Sequence, residues 1–203
     1  MTKTEDLQLR IYCTGVGGQG TLLATRLLGE AAMAAGYPVQ VAETHGMAQR
    51  GGVVESTVVL GSLASPIISL GEADILLGFE ILETFRSLNR CHARSLVITN
   101  TGVNVPYTVA IGQSTYPPVA QMLDLLKAHT GRLFALDANT LAQQAGSALA
   151  VNMVLLGALI SSGRVPFSVE TFTEIIATRT PKAPLEANLR AFHLGREAAA
   201  ALA

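Results

Sequence analysis

The stretch Arg10–Leu28, RIYCTGVGGQGTLLATRLL, decides how the rest of the chain is read. A short apolar run, Ile11 to Cys13, meets Gly15, Gly17, Gly18 and Gly20, and apolar residues then recur at helical spacing through Leu22, Leu23, Leu27 and Leu28. This is the pattern of a strand, a glycine turn and a helix. Glycines admit positive φ and let a ligand approach the main chain, while the free N–H groups that open a helix attract an anion. The junction is a candidate phosphate or carboxylate site.

Three readings of it compete. Gly15, Gly17 and Gly20 satisfy G-x-G-x-x-G, and Glu43 ends the next predicted strand about twenty residues on, where a dinucleotide site keeps its ribose-binding acid. The same glycines partly match a P-loop, but Thr21 follows Gly20 where that motif requires lysine, which discounts an NTPase. In the third reading the glycines serve only tight packing of strand against helix.

Working outward, the first helix stops near Gly36, and a strand over residues 38–42 completes a βαβ unit. The stretch THGMAQRGG, Thr44 to Gly52, has no apolar period. It places His45, Gly46, Met47, Gln49, Arg50, Gly51 and Gly52 in a loop at a strand's carboxyl end, the edge where open α/β sheets hold ligands. Further strands are expected over residues 53–60, 74–79, 96–99 and 133–136, with 109–111 as an edge strand and helices over 80–90 and 118–129. Asn100 ends one of these strands; it reads first as a turn residue and second as part of the ligand edge. From residue 140 the pattern is helical, over 140–146, 148–160, 169–178 and 185–200. The helix around Val151 to Leu159 is apolar nearly all round and so must be buried, and Asn152 within it needs a partner in the core.

At 203 residues with no linker, the chain reads as one domain over 1–203, long enough to bury roughly 70% of its unfolded surface. A composition 49% hydrophobic and only 14% charged suggests a surface partly covered by a partner, although abundant small residues also explain it. With 14 basic and 15 acidic residues and no basic cluster, nucleic acid is excluded as a partner. The start, MTKTEDLQLR, lacks a signal-peptide core, and the most apolar helix contains Asn152 and ends at Ser161, short of a membrane span. The expectation is a cytoplasmic protein with no membrane contact.

No G-x-S-x-G elbow, H-E-x-x-H or paired cysteines at metal spacing occurs, and His45, His92, His129 and His193 are dispersed. Cys13 and Cys91 cannot alone supply the four thiolates of an iron–sulfur cluster. The chain therefore reads as an incomplete enzyme, with no catalytic residue and no metal site of its own.

The stretches GVGGQGTLLATRLLGEAA from Gly15, ETHGMAQRGGVV from Glu43, NMVLLGALISSG from Asn152 and LEANLRAF from Leu185 together resemble the gamma subunit or domain of 2-oxoacid:ferredoxin oxidoreductases. Within that superfamily they are most similar to the small subunit of the indolepyruvate branch. The resemblance implies a three-layer αβα sandwich with a mixed, mostly parallel, Rossmann-like sheet, to which the helical C-terminal part is added. It implies a subunit of a complex that decarboxylates a 2-oxoacid oxidatively with thiamine diphosphate, coenzyme A and ferredoxin. Thiamine diphosphate and 4Fe–4S clusters then belong to a large partner subunit, through which ferredoxin is reached.

In this light Gly15, Gly17, Gly18, Gln19, Gly20 and Thr21 become a possible contact for a coenzyme A phosphate. The loop His45–Gly52 becomes an edge facing the partner or the active site, with Glu43 and Asn100 in second rank. An isolated chain is expected to self-associate through the surface meant for its partner. The alternative, a free-standing NAD-binding protein, rests on Gly15, Gly17, Gly20 and Glu43 alone. Neither Tyr107 nor Tyr116 has the lysine four residues on that a hydride-transfer acid would use.

Overall fold

The computed structural model describes residues 7–45 and 51–202, His45 by its backbone. In chain order the elements are β1 (Leu9–Val16), α1 (Thr21–Ala34), β2 (Val39–His45), β3 (Val53–Leu60), β4 (Ala73–Gly78), α2 (Ile81–Arg86) and β5 (Cys91–Asn100). There follow α3 (Tyr107–Ala110), α4 (Val119–His129), β6 (Arg132–Leu136), α5 (Ala138–Gln144), α6 (Val151–Ser161), α7 (Val169–Arg179) and α8 (Leu185–Ala200). The six strands form one sheet in the order β2-β3-β1-β4-β5-β6. β1, β4, β5 and β6 are mutually parallel, while β3 is antiparallel to both β1 and β2. Only β3 runs against the rest, so the sheet is mixed and mostly parallel.

Alternation along β1 divides the core. Ile11 and Cys13 point to the side carrying α1, α6 and α8, and Tyr12 points to the side carrying α2 and α4. α1 buries Ala24, Leu27, Leu28, Ala31 and Ala32, the i, i+3, i+4, i+7 and i+8 positions of one face. α6 has no polar face: every residue from Val151 to Ile160 is buried, because the helix packs on α8, α5, α1 and β5 at once. Burial also pushes the Cys13 thiol up to about 12 and Cys91 up to about 11. Cys13 is a core side chain, and Cys91 is partly buried and packs against the core.

Three expectations need correction. β1-α1-β2 is a crossover, but β2 does not lie beside β1, because β3 folds back between them. Residues 109–111 form no edge strand; Val109 and Ala110 belong to the short helix α3, which Pro106 opens, and Ile111 is its C-cap. The β-branched residues there are outvoted by proline at the helix start. Finally, the helix expected over residues 80–90 ends at Arg86 and resumes as a single 3-10 turn, Leu88–Arg90.

Candidate functional site

The glycine turn closes on itself. Gln19 N–H donates to the Val16 carbonyl at 3.2 Å, and Val16 N–H donates to Gln19 Oε1 at 2.8 Å. Gln19 thus folds back onto the strand end and its carbonyl is spent on the turn. Gly15 lies beneath, where a Cβ would come within 2.7 Å of Phe79 Cβ and 2.8 Å of Gln19 Oε1. Gly17 N–H donates to the Gly52 carbonyl at 2.9 Å, tying the turn to the far end of the THGMAQRGG loop. The two motifs therefore meet at the carboxyl edge of the sheet.

Gly20 caps α1 with φ 78° and ψ 23°, the left-handed region, and no side chain accepts from the helix start. The opening N–H groups of the helix are left for a ligand or water. Thr21, the first helical residue, is 3% exposed, and its hydroxyl has no hydrogen-bond partner among the described residues. Asn152 completes this corner. Its Nδ2 donates to the Gly20 carbonyl at 3.4 Å and its Oδ1 accepts from Met153 N–H at 3.0 Å. The sequence reading gave Asn152 a core partner but not its place against Gly20; a lone amide in an apolar helix was the available signal.

The remaining expected site residues separate. Glu43 is exposed on the outermost strand, with all of β3 between it and β1, about 10 Å across the sheet from the strand that feeds the turn. A ribose-binding acid belongs on the adjacent strand, so this placement overturns the dinucleotide reading. Glu43 instead borders a groove of about 600 Å³ between α1 and β2, with Leu22, Arg26, Met33 and Val41. Asn100 is fully engaged: Nδ2 donates to the Phe79 carbonyl and Asn139 Oδ1, and Oδ1 accepts from Gly102 N–H and Ala138 N–H, all at 3.1 Å. It clamps the loop after β5 and has no valence for a ligand. His45 ends β2, its backbone pairing with Val54 of β3; Gly51 and Gly52 precede β3, and Gly46, Met47, Gln49 and Arg50 lie outside the described residues.

A cleft of about 520 Å³ opens on the α2 side of the same edge, lined by Val16, Gly51, Val53, Glu83, Arg86 and the segment from Asn104 to Ala110. Glu80 holds that segment in place. It is wholly buried, caps α2 by accepting from Glu83 N–H at 3.0 Å, and with its other oxygen accepts from Asn104 N–H at 3.1 Å and Tyr116 OH at 2.5 Å. Burial raises the Tyr116 phenol, and its hydrogen bond to Glu80 raises it further. Glu83, also buried, pairs with Arg86 at 2.7 Å. Burial raises the Glu83 carboxyl, Arg86 pulls it back, and the neighbouring carboxyls of Glu80 and Glu55 push it up again. Sequence reading passed over Glu80; its signal was an acid at a strand end one residue before a helix, in N-cap position.

Among the described residues no three His, Cys, Asp or Glu side chains converge as a metal site requires, and no helix is long and apolar enough to cross a membrane. An open helix start and a braced cleft lie on the carboxyl edge of this mixed, Rossmann-like sheet. Residues 10–198 match the family model described as pyruvate ferredoxin/flavodoxin oxidoreductase, and the chain belongs to that family. It is 41% identical over 194 residues to the indolepyruvate oxidoreductase subunit IorB of Thermococcus kodakarensis, covering 95% of this chain and 96% of the relative. It is 27% identical over 195 residues to the 2-oxoglutarate synthase subunit KorC of Methanothermobacter thermautotrophicus, covering 95% of both.

Among solved structures, the gamma subunit of a keto/oxoacid ferredoxin oxidoreductase from Geobacter sulfurreducens aligns with a TM-score of 0.69 at 23% identity, over 95% of this chain and 99% of that one. The 2-oxoglutarate:ferredoxin oxidoreductase of Magnetococcus marinus aligns with a TM-score of 0.73 at 20% identity, over 98% of this chain and 32% of that longer chain. At such identities these two establish the αβα fold, which agrees with the layers described above.

Proposed function

We propose that this chain is the non-cluster subunit of a heteromeric 2-oxoacid:ferredoxin oxidoreductase of the indolepyruvate type. With its partner it carries out coenzyme A-dependent oxidative decarboxylation of an arylpyruvate, in the cytoplasm. The observation that carries this reading is the 41% identity to an indolepyruvate oxidoreductase subunit across nearly the whole of both chains. Thiamine diphosphate and 4Fe–4S clusters reside on the large subunit, which passes electrons to ferredoxin.

This chain's own part is to hold an anion at the glycine turn. The start of α1, Gly18, Gly20 and the unpaired Thr21 hydroxyl suit a coenzyme A phosphate, because backbone and hydroxyl donors gather there without a lysine. Coenzyme A is named among the bound ligands of the Magnetococcus relative. When bound, it supplies the thiol that takes up the acyl group. Asn152 holds Gly20 from behind, and Gln19 keeps the turn closed.

The subunit reading is tested by anaerobic affinity purification of the tagged chain from its native cells, with assays for iron, thiamine diphosphate and arylpyruvate-dependent dye reduction. Recovery of the chain alone, inactive and binding NAD, would reject it. For the anion site, Thr21→Val keeps the shape and removes the hydroxyl. Losing one hydrogen bond to a charged group costs about 1.5–3 kcal/mol, so KM for coenzyme A should rise roughly tenfold or more with thermal stability unchanged. An unchanged KM would leave the turn as packing only. Arg50→Ala, in the loop assigned to the partner or active-site edge, is expected to lower activity of the complex without lowering the melting temperature; a destabilised subunit would count against that assignment.

A further inference from the structure

β2 is the outermost strand of the sheet, and among the described residues no strand pairs with its free side. The register fixes which of its backbone groups face outward. Val39 stands opposite Leu60, and Gly61 N–H donates to the Pro38 carbonyl at 2.8 Å, so Pro38 and Gly61 are a bonded position of the ladder. Bonded and non-bonded positions alternate along an antiparallel pair. Gln40, Ala42 and Thr44 therefore spend their N–H and C=O groups on Val59, Thr57 and Glu55, whereas those of Val39, Val41 and Glu43 point away from the sheet. The bonds of Gly17 to Gly52 and of Phe79 to Thr14 keep the same alternation across β1. From Val39 to His45 the strand holds no proline, no lysine and no register shift, the usual guards of an open edge.

A row of outward N–H and C=O groups is complementary to another extended strand. Its flanks say which strand fits. On the α1 face the groove exposes Leu22, Val41 and Met33, the last to 61%, and Gly29 lies over Val41. The charges there are matched, Arg26 and Arg179 both pairing with Glu30 while Glu43 stands at the rim, so a neutral apolar insert is favoured. On the other face Ile67, 74% exposed, stands beside Ala42 and Thr44. β2 and α1 themselves supply such an insert. A two-fold axis through Val41 sets β2 antiparallel to its own copy, with Val41 opposite Val41 and Val39 opposite Glu43, so that every outward donor meets an outward acceptor. Met33 and Leu22 lie on opposite sides of Gly29 along α1, and the same axis turns each Met33 toward the Leu22 end of the other copy's groove.

We propose that β2 is the contact between two copies of this chain, joined edge to edge into one continuous sheet. The axis stands perpendicular to the sheet and reverses strand direction between the copies. Their carboxyl edges, each with its glycine turn, therefore face opposite ways and stay open. The contact is independent of what the glycine turn binds and goes beyond the subunit reading.

Sedimentation equilibrium of the purified full-length chain at micromolar concentration should show a dimer. Val41→Pro removes an N–H that β3 does not use; by circular dichroism it should stay folded, with the dimer weakened about tenfold or more. Met33→Lys, which puts a cation into each groove, should weaken the dimer likewise, and Tyr107→Ala, in the cleft on the carboxyl edge, should leave it unchanged. Ala42→Pro removes a bond to β3 and should melt well below Val41→Pro; equal melting temperatures would overturn the assignment of outward groups and the contact with it. In hydrogen exchange the amides of Val39, Val41 and Glu43 should be protected in the dimer and lose protection on dilution. A monomeric wild type, or a dimer unchanged in both Val41→Pro and Met33→Lys, overturns the proposal. Protection of those amides only in a one-to-one complex with the large subunit gives the edge to a strand of that partner and overturns it equally.

Discussion

Gly195→Ala is expected to destabilise the protein by about 3 kcal/mol or more, lowering the melting temperature by roughly 10 °C for a chain of this size. α6 and α8 touch backbone to backbone. A Cβ at Gly195 would overlap the Val154 carbonyl oxygen, and one at Gly157 would overlap the Phe192 carbonyl oxygen. Neither carbonyl can swing aside, since each belongs to a helix whose hydrogen bonds fix it. Only separation of the two helices relieves the overlap, and that exposes the apolar surface of α6. The same substitution at Gly29 of α1 is the control. There the nearest atom is a Val41 methyl at 3.2 Å, which can shift, and alanine gains up to about 1 kcal/mol in helix propensity. Thermal unfolding followed by circular dichroism should show a large loss for Gly195→Ala and little change for Gly29→Ala. Equal effects at the two sites would refute the backbone contact between α6 and α8.

Glu80→Ala is expected to cost about 2–4 kcal/mol, the sum of a lost N-cap and buried donors left without an acceptor. The groups stranded are Glu83 N–H, Asn104 N–H and the Tyr116 hydroxyl. Because these lie on α2 and on both ends of the segment that walls the cleft, the loss is local as well as global. Amides from Asn104 to Tyr116 should exchange hydrogen much faster in the variant even where the protein stays folded. Glu80→Gln keeps one acceptor oxygen and should fall between wild type and alanine in urea denaturation. A Glu80→Ala variant with wild-type midpoint and exchange rates would remove Glu80 from its place as the brace of the cleft.

Much of the fold was legible locally. The strand–turn–helix at Ile11 to Leu28 follows from residue types whose preferences act within a few positions: a short apolar run for β1, a 3.6-residue spacing for α1, and glycine where φ is positive at Gly20. The helical C-terminal part was visible for the same reason, and the all-apolar stretch of α6 announced its own burial. Contacts between distant residues were less legible. That Asn100 spends four hydrogen bonds on Phe79, Asn139, Gly102 and Ala138 depends on where four separate segments arrive. That Asn152 backs Gly20 spans 132 positions of sequence.

What the sequence determined by itself was most of the elements, the glycine turn and the family to which its motifs point, because periodicity, turn chemistry and motif spacing are properties of short stretches. Only the tertiary structure decided the order of the strands. β3 folds back between β1 and β2, which removes Glu43 from the turn it was expected to serve, and the pairing partner of an antiparallel strand is chosen by burial of its faces across the whole sheet. The cleft was decided in the same way. Glu80, Asn104 and Tyr116 are unremarkable in sequence, and they become one rigid wall because the carboxyl edge brings them within hydrogen-bond reach, where a buried carboxyl must find donors.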